Sequence, residues 1–173
     1  MSAAQRRLNQ GLRALIAFAR PPDLAEARDV LGPRLTALFR RMRLSEQNHC
    51  LRVMCALQAQ GYNHPDLLVA ALLHDVGKTR YPLTLFGRTL AVLAEAIAPR
   101  LAQRLSQGEP RGLRRALVVA ERHPQWGAEM LAEAGASPLA VALTRRHQER
   151  LSHPPQSEEE RFLLLLQAAD TAN

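Results

Sequence analysis

A histidine and an aspartate stand side by side at His74-Asp75, directly after the apolar run Leu67-Leu68-Val69-Ala70-Ala71-Leu72-Leu73. Such a run reads as a buried helix, and a carboxylate at its end is costly to desolvate unless a cation compensates it. A bound metal is the obvious cation. For this pair alone, the plainer reading is a core histidine whose tautomer the carboxylate holds. Four further residues change the balance. His49 shares a helical face with Val53, Ala56 and Leu57, His147 with Leu139, Ala140 and Leu143, and Asp170 with Leu163 and Leu166, while His123 precedes Pro124 at a helix junction. Each of these alone reads as a hydrogen-bonded core residue or, for Asp170, as one frayed into water. Together, four imidazoles and two carboxylates from separate helices make the nitrogen and oxygen donor set of a dinuclear transition-metal site.

The elements that must position them are all helical. An amphipathic helix is expected over Ala3 to Arg20, stopped by Pro21-Pro22. Asp23 caps a short helix through Leu31, Gly32-Pro33 breaks it, and Arg34 to Met42 follows. Residues 1–42 contain no histidine and read as an accessory layer, and residues 43–173 as the domain that carries the chemistry. Ser45 caps a helix to about Gln60, closed by Gly61. Pro65 opens the buried helix that ends in His74-Asp75, and His64 belongs to the turn before it. Two turn signals lie between Thr79 and Gly87, and a helix from Arg88 to Arg104 breaks at Pro99. Arg111 to Arg122 ends at His123-Pro124, where a new helix starts and runs to Ala134. Ser137-Pro138 opens the helix of His147, a loop from Leu151 to Gln156 holds His153, and Ser157 to Glu160 is a capping box for the helix of Asp170.

Composition agrees with an all-α fold: 47% of residues are hydrophobic but only 4% aromatic, so packing rests on Leu and Ala. The net charge of +7 suits anionic partners. However, the single lysine, Lys78, stands against 22 arginines, a ratio that looks like a coding bias, and the arginines are scattered without interleaved aromatics. This argues against nucleic acid as the partner. Cys50 and Cys55 lie on one expected helix and read as reduced, small core residues. No apolar stretch has the length of a membrane span or a secretory core, so a cytoplasmic protein with no membrane partner is expected.

His49 with Arg52-Val53, then Leu72-Leu73-His74-Asp75-Val76-Gly77-Lys78, then Ala168-Ala169-Asp170 resemble the H…HD…D pattern of the HD-domain metal-dependent phosphohydrolases. Between them, His123-Pro124-Gln125-Trp126-Gly127-Ala128 and His147-Gln148-Glu149-Arg150 resemble the HPxxGA and HHER segments of the HD-GYP branch. Gln148 replaces that branch's second histidine, the loop after it lacks Gly-Tyr-Pro, and the long interval from Asp75 to His123 implies an inserted helix. The resemblance covers residues from about 45 onward and implies an HD-type helical bundle. It implies one metal held by His49, His74, Asp75 and Asp170, and a second held by Asp75 as a bridge, His123 and His147, with Gln148 a further ligand to the second.

The expected cofactors are two divalent transition-metal ions, Fe or Mn, and the expected reaction is hydrolysis of a phosphate mono- or diester on a nucleotide-like substrate. Paired cations lower the pKa of a shared water and neutralise phosphoryl oxygens during in-line attack. Lys78 is placed to protonate the leaving oxygen or bind the phosphoryl group, and Arg80, Arg145 and Arg146 are candidate phosphate anchors. The alternatives are a mononuclear nucleotidase using only the first site, and a regulatory module that keeps the fold without turnover.

Overall fold

The computed structural model describes residues 24–83, 93–94 and 96–173. Among these residues the protein is all-α, with seven α-helices and no strand. The helix expected over Ala3 to Arg20, the cap at Asp23, and residues 84–92 and 95, which include the start of the helix expected from Arg88, lie outside the described residues.

Helix α1 (Ala25–Phe39) is two helical pieces joined at Gly32, whose φ of +63° and ψ of −179° interrupt the helix where the Gly-Pro pair predicts a break. Its inward residues Ala27, Leu31, Leu35 and Phe39 join the main core, which also holds Leu67 to Leu73, Leu143 and Leu163. Helix α2 (Leu44–Ala59) starts two residues earlier than expected. Arg43, not Ser45, is its N-cap, because the Glu46 carboxylate turns back to accept the Arg43 N–H at 3.2 Å. Gly61 closes it with a φ of +86°, as the sequence predicts. Cys50 is buried on this helix but Cys55 is exposed, which corrects the reading of both as core; both are free thiols.

Helix α3 (Pro65–Leu73) is the axle of the molecule. Pro65 occupies its first position, the His64 ring accepts the Asp66 N–H at 3.3 Å, and every residue from Leu67 to Leu73 is buried. Burying each leucine side chain here stabilises the fold by roughly 2 kcal/mol. A 3₁₀ turn, Val76–Arg80, follows directly. Helix α4 (Pro99–Ser106) is short, begins after the non-helical Ala98, and lies between Asp75 and His123 in the chain.

Helix α5 (Arg115–Glu133) corrects the expected break at His123-Pro124, since it runs through Pro124 as one helix. A proline inside a helix costs about 3 kcal/mol. Burial on both sides of it, from Val118 and Val119 to Trp126, Ala128 and Leu131, offsets that cost. Helix α6 (Pro138–Arg146) is capped by the Ser137 hydroxyl, and helix α7 (Glu158–Ala172) by the Ser157 hydroxyl. In the second cap Glu160 reaches the Gln156 N–H at 2.7 Å, one residue before the cap itself.

Helix α3 packs against α1, α2, α6 and α7, while the 3₁₀ turn and α6 both lie on α5. This arrangement brings the end of α3, the middle of α5 and the end of α6 to one place. No helix among the described residues is long and apolar enough to cross a membrane.

Candidate metal centre

Two of the candidate histidines stand at helix ends. His74 is the C-cap of α3 and His147 the C-cap of α6, where the last carbonyls of a helix have no N–H partner of their own. Each ring uses one of them: His74 Nδ1–H donates to the Ala71 carbonyl at 3.0 Å, and His147 Nδ1–H to Thr144 at 2.7 Å. His123, inside α5, does the same with Ala120 at 2.8 Å and Val119 at 3.0 Å. A carbonyl can only accept, so Nδ1 carries a proton in all three rings, and Nε2 is the nitrogen left to face a metal.

Those three Nε2 atoms converge with the carboxylates. Asp75 Oδ1 is 3.3 Å from His123 Nε2, and its Oδ2 is 3.9 Å from His74 Nε2. Asp170 Oδ1, in the last turn of α7, is 2.7 Å from His49 Nε2 and 3.5 Å from His74 Nε2. All six predicted residues therefore gather. They fall into two groups with ligand atoms within 4.8 Å of one another: His49, His74 and Asp170, and Asp75, His123 and His147.

The donor set fits a metal. His123 Nε2 and His147 Nε2 face each other at 3.2 Å although both Nδ1 protons are committed elsewhere, so two lone pairs would oppose unless a proton or a metal cation lies between them. Burial pushes the His147 ring down to about 3, helped by the positive charge of His74, so at neutral pH it is an uncharged ligand. For Asp75, burial alone would raise the carboxyl. His74, the His123 hydrogen bond and Lys78 outweigh it and hold the group well below the usual carboxylate range. Asp170 is likewise held low against its burial by hydrogen bonds from His49 and His74. Both are ionised acceptors at neutral pH.

The two groups differ in access. The His123 and Asp75 side chains of the second group are 1% and 9% exposed, whereas those of His49 and Asp170 in the first are 23% and 34% exposed. The first group therefore lies at a wet edge and the second on a dry floor. Lys78 donates from Nζ to Asp75 Oδ2 at 2.6 Å.

The remaining candidates are placed as follows. Arg80 pairs with Glu129 at 2.8 Å and lies over the Trp126 ring, Arg146 is bound by Glu149 and Glu159, and Arg145 and Gln148 are exposed. His64 stacks on Phe162 and His153 is exposed in its loop.

Two glycines bring the floor together, and sequence reading assigned them no task. A Cβ on Gly77 would overlap the His123 carbonyl oxygen and lie 2.6 Å from the Gly127 nitrogen. The 3₁₀ turn can therefore press its backbone onto α5 only without a side chain, which draws Asp75 against His123. The signal was present in Val76-Gly77 and Trp126-Gly127, but only contact between the two segments gives it meaning.

A family model described as HD domain matches residues 47–171, well over half of the chain. The chain belongs to the HD-domain family. Members of that family are in general metal-dependent hydrolases, and this HD domain presents two His/Asp groups able to hold divalent metal. Neither the search of curated proteins nor that of solved structures found a match.

Proposed function

We propose that this HD domain is a dinuclear phosphohydrolase that cleaves a phosphate mono- or diester of nucleotide-like chemistry, with Fe or Mn as its metals. The observation that carries this reading is the division of Asp75, with one oxygen towards His123 in the buried group and the other towards His74 in the open one. When bound, a metal pair supplies a nucleophile from water near neutral pH and neutralises charge on the phosphoryl oxygens.

The protein's own residues do the rest. Backbone carbonyls hold the Nδ1–H of His74, His123 and His147, so the three Nε2 atoms are aimed at one place before any metal arrives. Asp170 and His49 form the side of the site that meets solvent, from which a substrate enters. Lys78 Nζ, held beside Asp75 and partly exposed, suits a general acid for the leaving oxygen. The charges of Arg80 and Arg146 are already compensated by Glu129, Glu149 and Glu159, as that of Lys78 is by Asp75, so none of the three is a ready-made phosphate anchor.

The test is elemental analysis of the purified protein, followed by a panel of phosphatase and phosphodiesterase substrates with added Mn. Two equivalents of metal and Mn-dependent hydrolysis are expected. One equivalent would favour a mononuclear nucleotidase, and metal without turnover on any ester would favour a regulatory module.

A further inference from the structure

The three buried histidines obey one rule, and His123 is the one for which the rule should fail. His74 and His147 stand at helix ends, where carbonyls are left over for their Nδ1 protons. His123 lies in the middle of α5, where every carbonyl should already be bonded by the N–H four residues on. Yet its Nδ1 finds the Ala120 carbonyl at 2.8 Å. The residue four places after Ala120 is Pro124, which has no N–H to give.

We infer that Pro124 is a positioning residue for the second metal group: by withholding its N–H it creates, inside a helix, the unpaired carbonyl that fixes the His123 tautomer and turns Nε2 towards Asp75 and His147. The inference rests on the dinuclear reading for its metal consequence but not for its tautomer consequence. In a regular helix, the N–H of residue 124 would compete for the Ala120 carbonyl. The ring would then be left with the Val119 carbonyl, 3.0 Å away, which the His123 backbone N–H already claims in the helical pattern. A ring with no dedicated acceptor for Nδ1–H samples both tautomers, and one of them points a proton at the metal position.

Pro124→Ala tests this, because it returns the N–H and also removes a residue unfavourable to helices, so the variant should fold well. Long-range proton–nitrogen NMR of labelled histidine, recorded on metal-stripped protein, reads the tautomer directly. Wild type should show His123 Nδ1 protonated throughout, and the variant a mixture of tautomers. Mn titration should show the second site weakened about 10- to 100-fold, the usual effect of losing an outer hydrogen bond to a ligand, with the first site unchanged. The metal-free variant should melt no lower than wild type, which separates positioning from simple structural damage. An unchanged His123 tautomer, an unchanged second-site affinity, or a fall in melting temperature that accompanies the metal loss would each overturn the inference. If wild type keeps the Nδ1-protonated tautomer but takes up only one Mn, it is the dinuclear reading that fails, and the NMR comparison alone decides the role of Pro124.

Discussion

Asp75 turns Oδ1 to His123 and Oδ2 to His74 and Lys78, so its loss removes an acceptor from both donor groups, whereas His147 serves only the buried one. We expect Asp75→Ala to empty both metal positions and His147→Ala to empty mainly one, as counted by elemental analysis. Equal losses in the two variants would remove the case for Asp75 as a bridge. Lys78 is the second residue whose chemistry is specific. An arginine in its place keeps the charge, but its guanidinium holds its proton above pH 12 or so and is a poor donor to a leaving alkoxide. Lys78→Arg should therefore retain metal and lower kcat about a hundredfold on an unactivated ester. The loss should shrink on a nitrophenyl ester, whose leaving group needs no proton. Equal losses on both substrates would make Lys78 a phosphate-binding charge instead.

The 3₁₀ turn and α5 meet backbone to backbone, and the two glycines at that contact are not equivalent. A Cβ on Gly77 runs into the His123 carbonyl oxygen and the Gly127 nitrogen, neither of which can yield without moving α5. A Cβ on Gly127 meets first the Thr144 methyl at 3.2 Å, a side-chain atom that can give way. Alanine in place of a helical glycine also gains up to about 1 kcal/mol in propensity. Gly77→Ala should thus cost about 3 kcal/mol or more in urea unfolding and disturb the buried donor group, while Gly127→Ala stays near neutral. The reverse order would mean that the close approach does not hold the site.

Across the whole molecule, protons and metal compete for the same buried cluster, which shapes the stability of the metal-free protein against pH. His147 is pushed down to about 3, so between pH 3 and the unfolded value near 6.5 the unfolded chain binds the extra proton, and stability rises with pH. The gain is about 2 kcal/mol between pH 5 and 6.5. His74 behaves oppositely. Burial pushes its ring down, but the Asp75 charge and the Asp170 hydrogen bond hold it well above its ordinary value. The nearby Cys50 thiol is itself pushed up by burial and is uncharged at neutral pH. A raised histidine stabilises fully below its unfolded pKa and loses that contribution as pH climbs through its folded one. Asp75 and Asp170 are held low and stabilise throughout this range, failing only below about pH 4. Melting temperatures in EDTA should therefore peak near pH 6.5 and fall on either side. Saturating Mn should shift the optimum upward, because cations bind the deprotonated ligands. A profile in EDTA that is flat from pH 5 to 8 would contradict these assignments.

Much of this was legible from residue order. The apolar run Leu67 to Leu73 is buried throughout, the break at Gly32-Pro33 and the stop at Gly61 fall where local conformational preference puts them, and periodicity turns His49 and Asp170 towards each other. These are local matters, decided by which side chains share a helical face and which backbones tolerate a turn. Local signals misplaced α5, where Pro124 reads as a helix boundary but packing on both sides carries the helix through. They also misplaced Cys55, which helical spacing alone did not put on the outer face. Three things were decided only in three dimensions: that Lys78 pairs with Asp75, that Gly77 lets a 3₁₀ turn lie on α5, and that each buried imidazole meets an unpaired carbonyl. Each depends on the distance between atoms far apart in the chain or on a hydrogen bond left unmade, and neither quantity is carried by residue type and spacing.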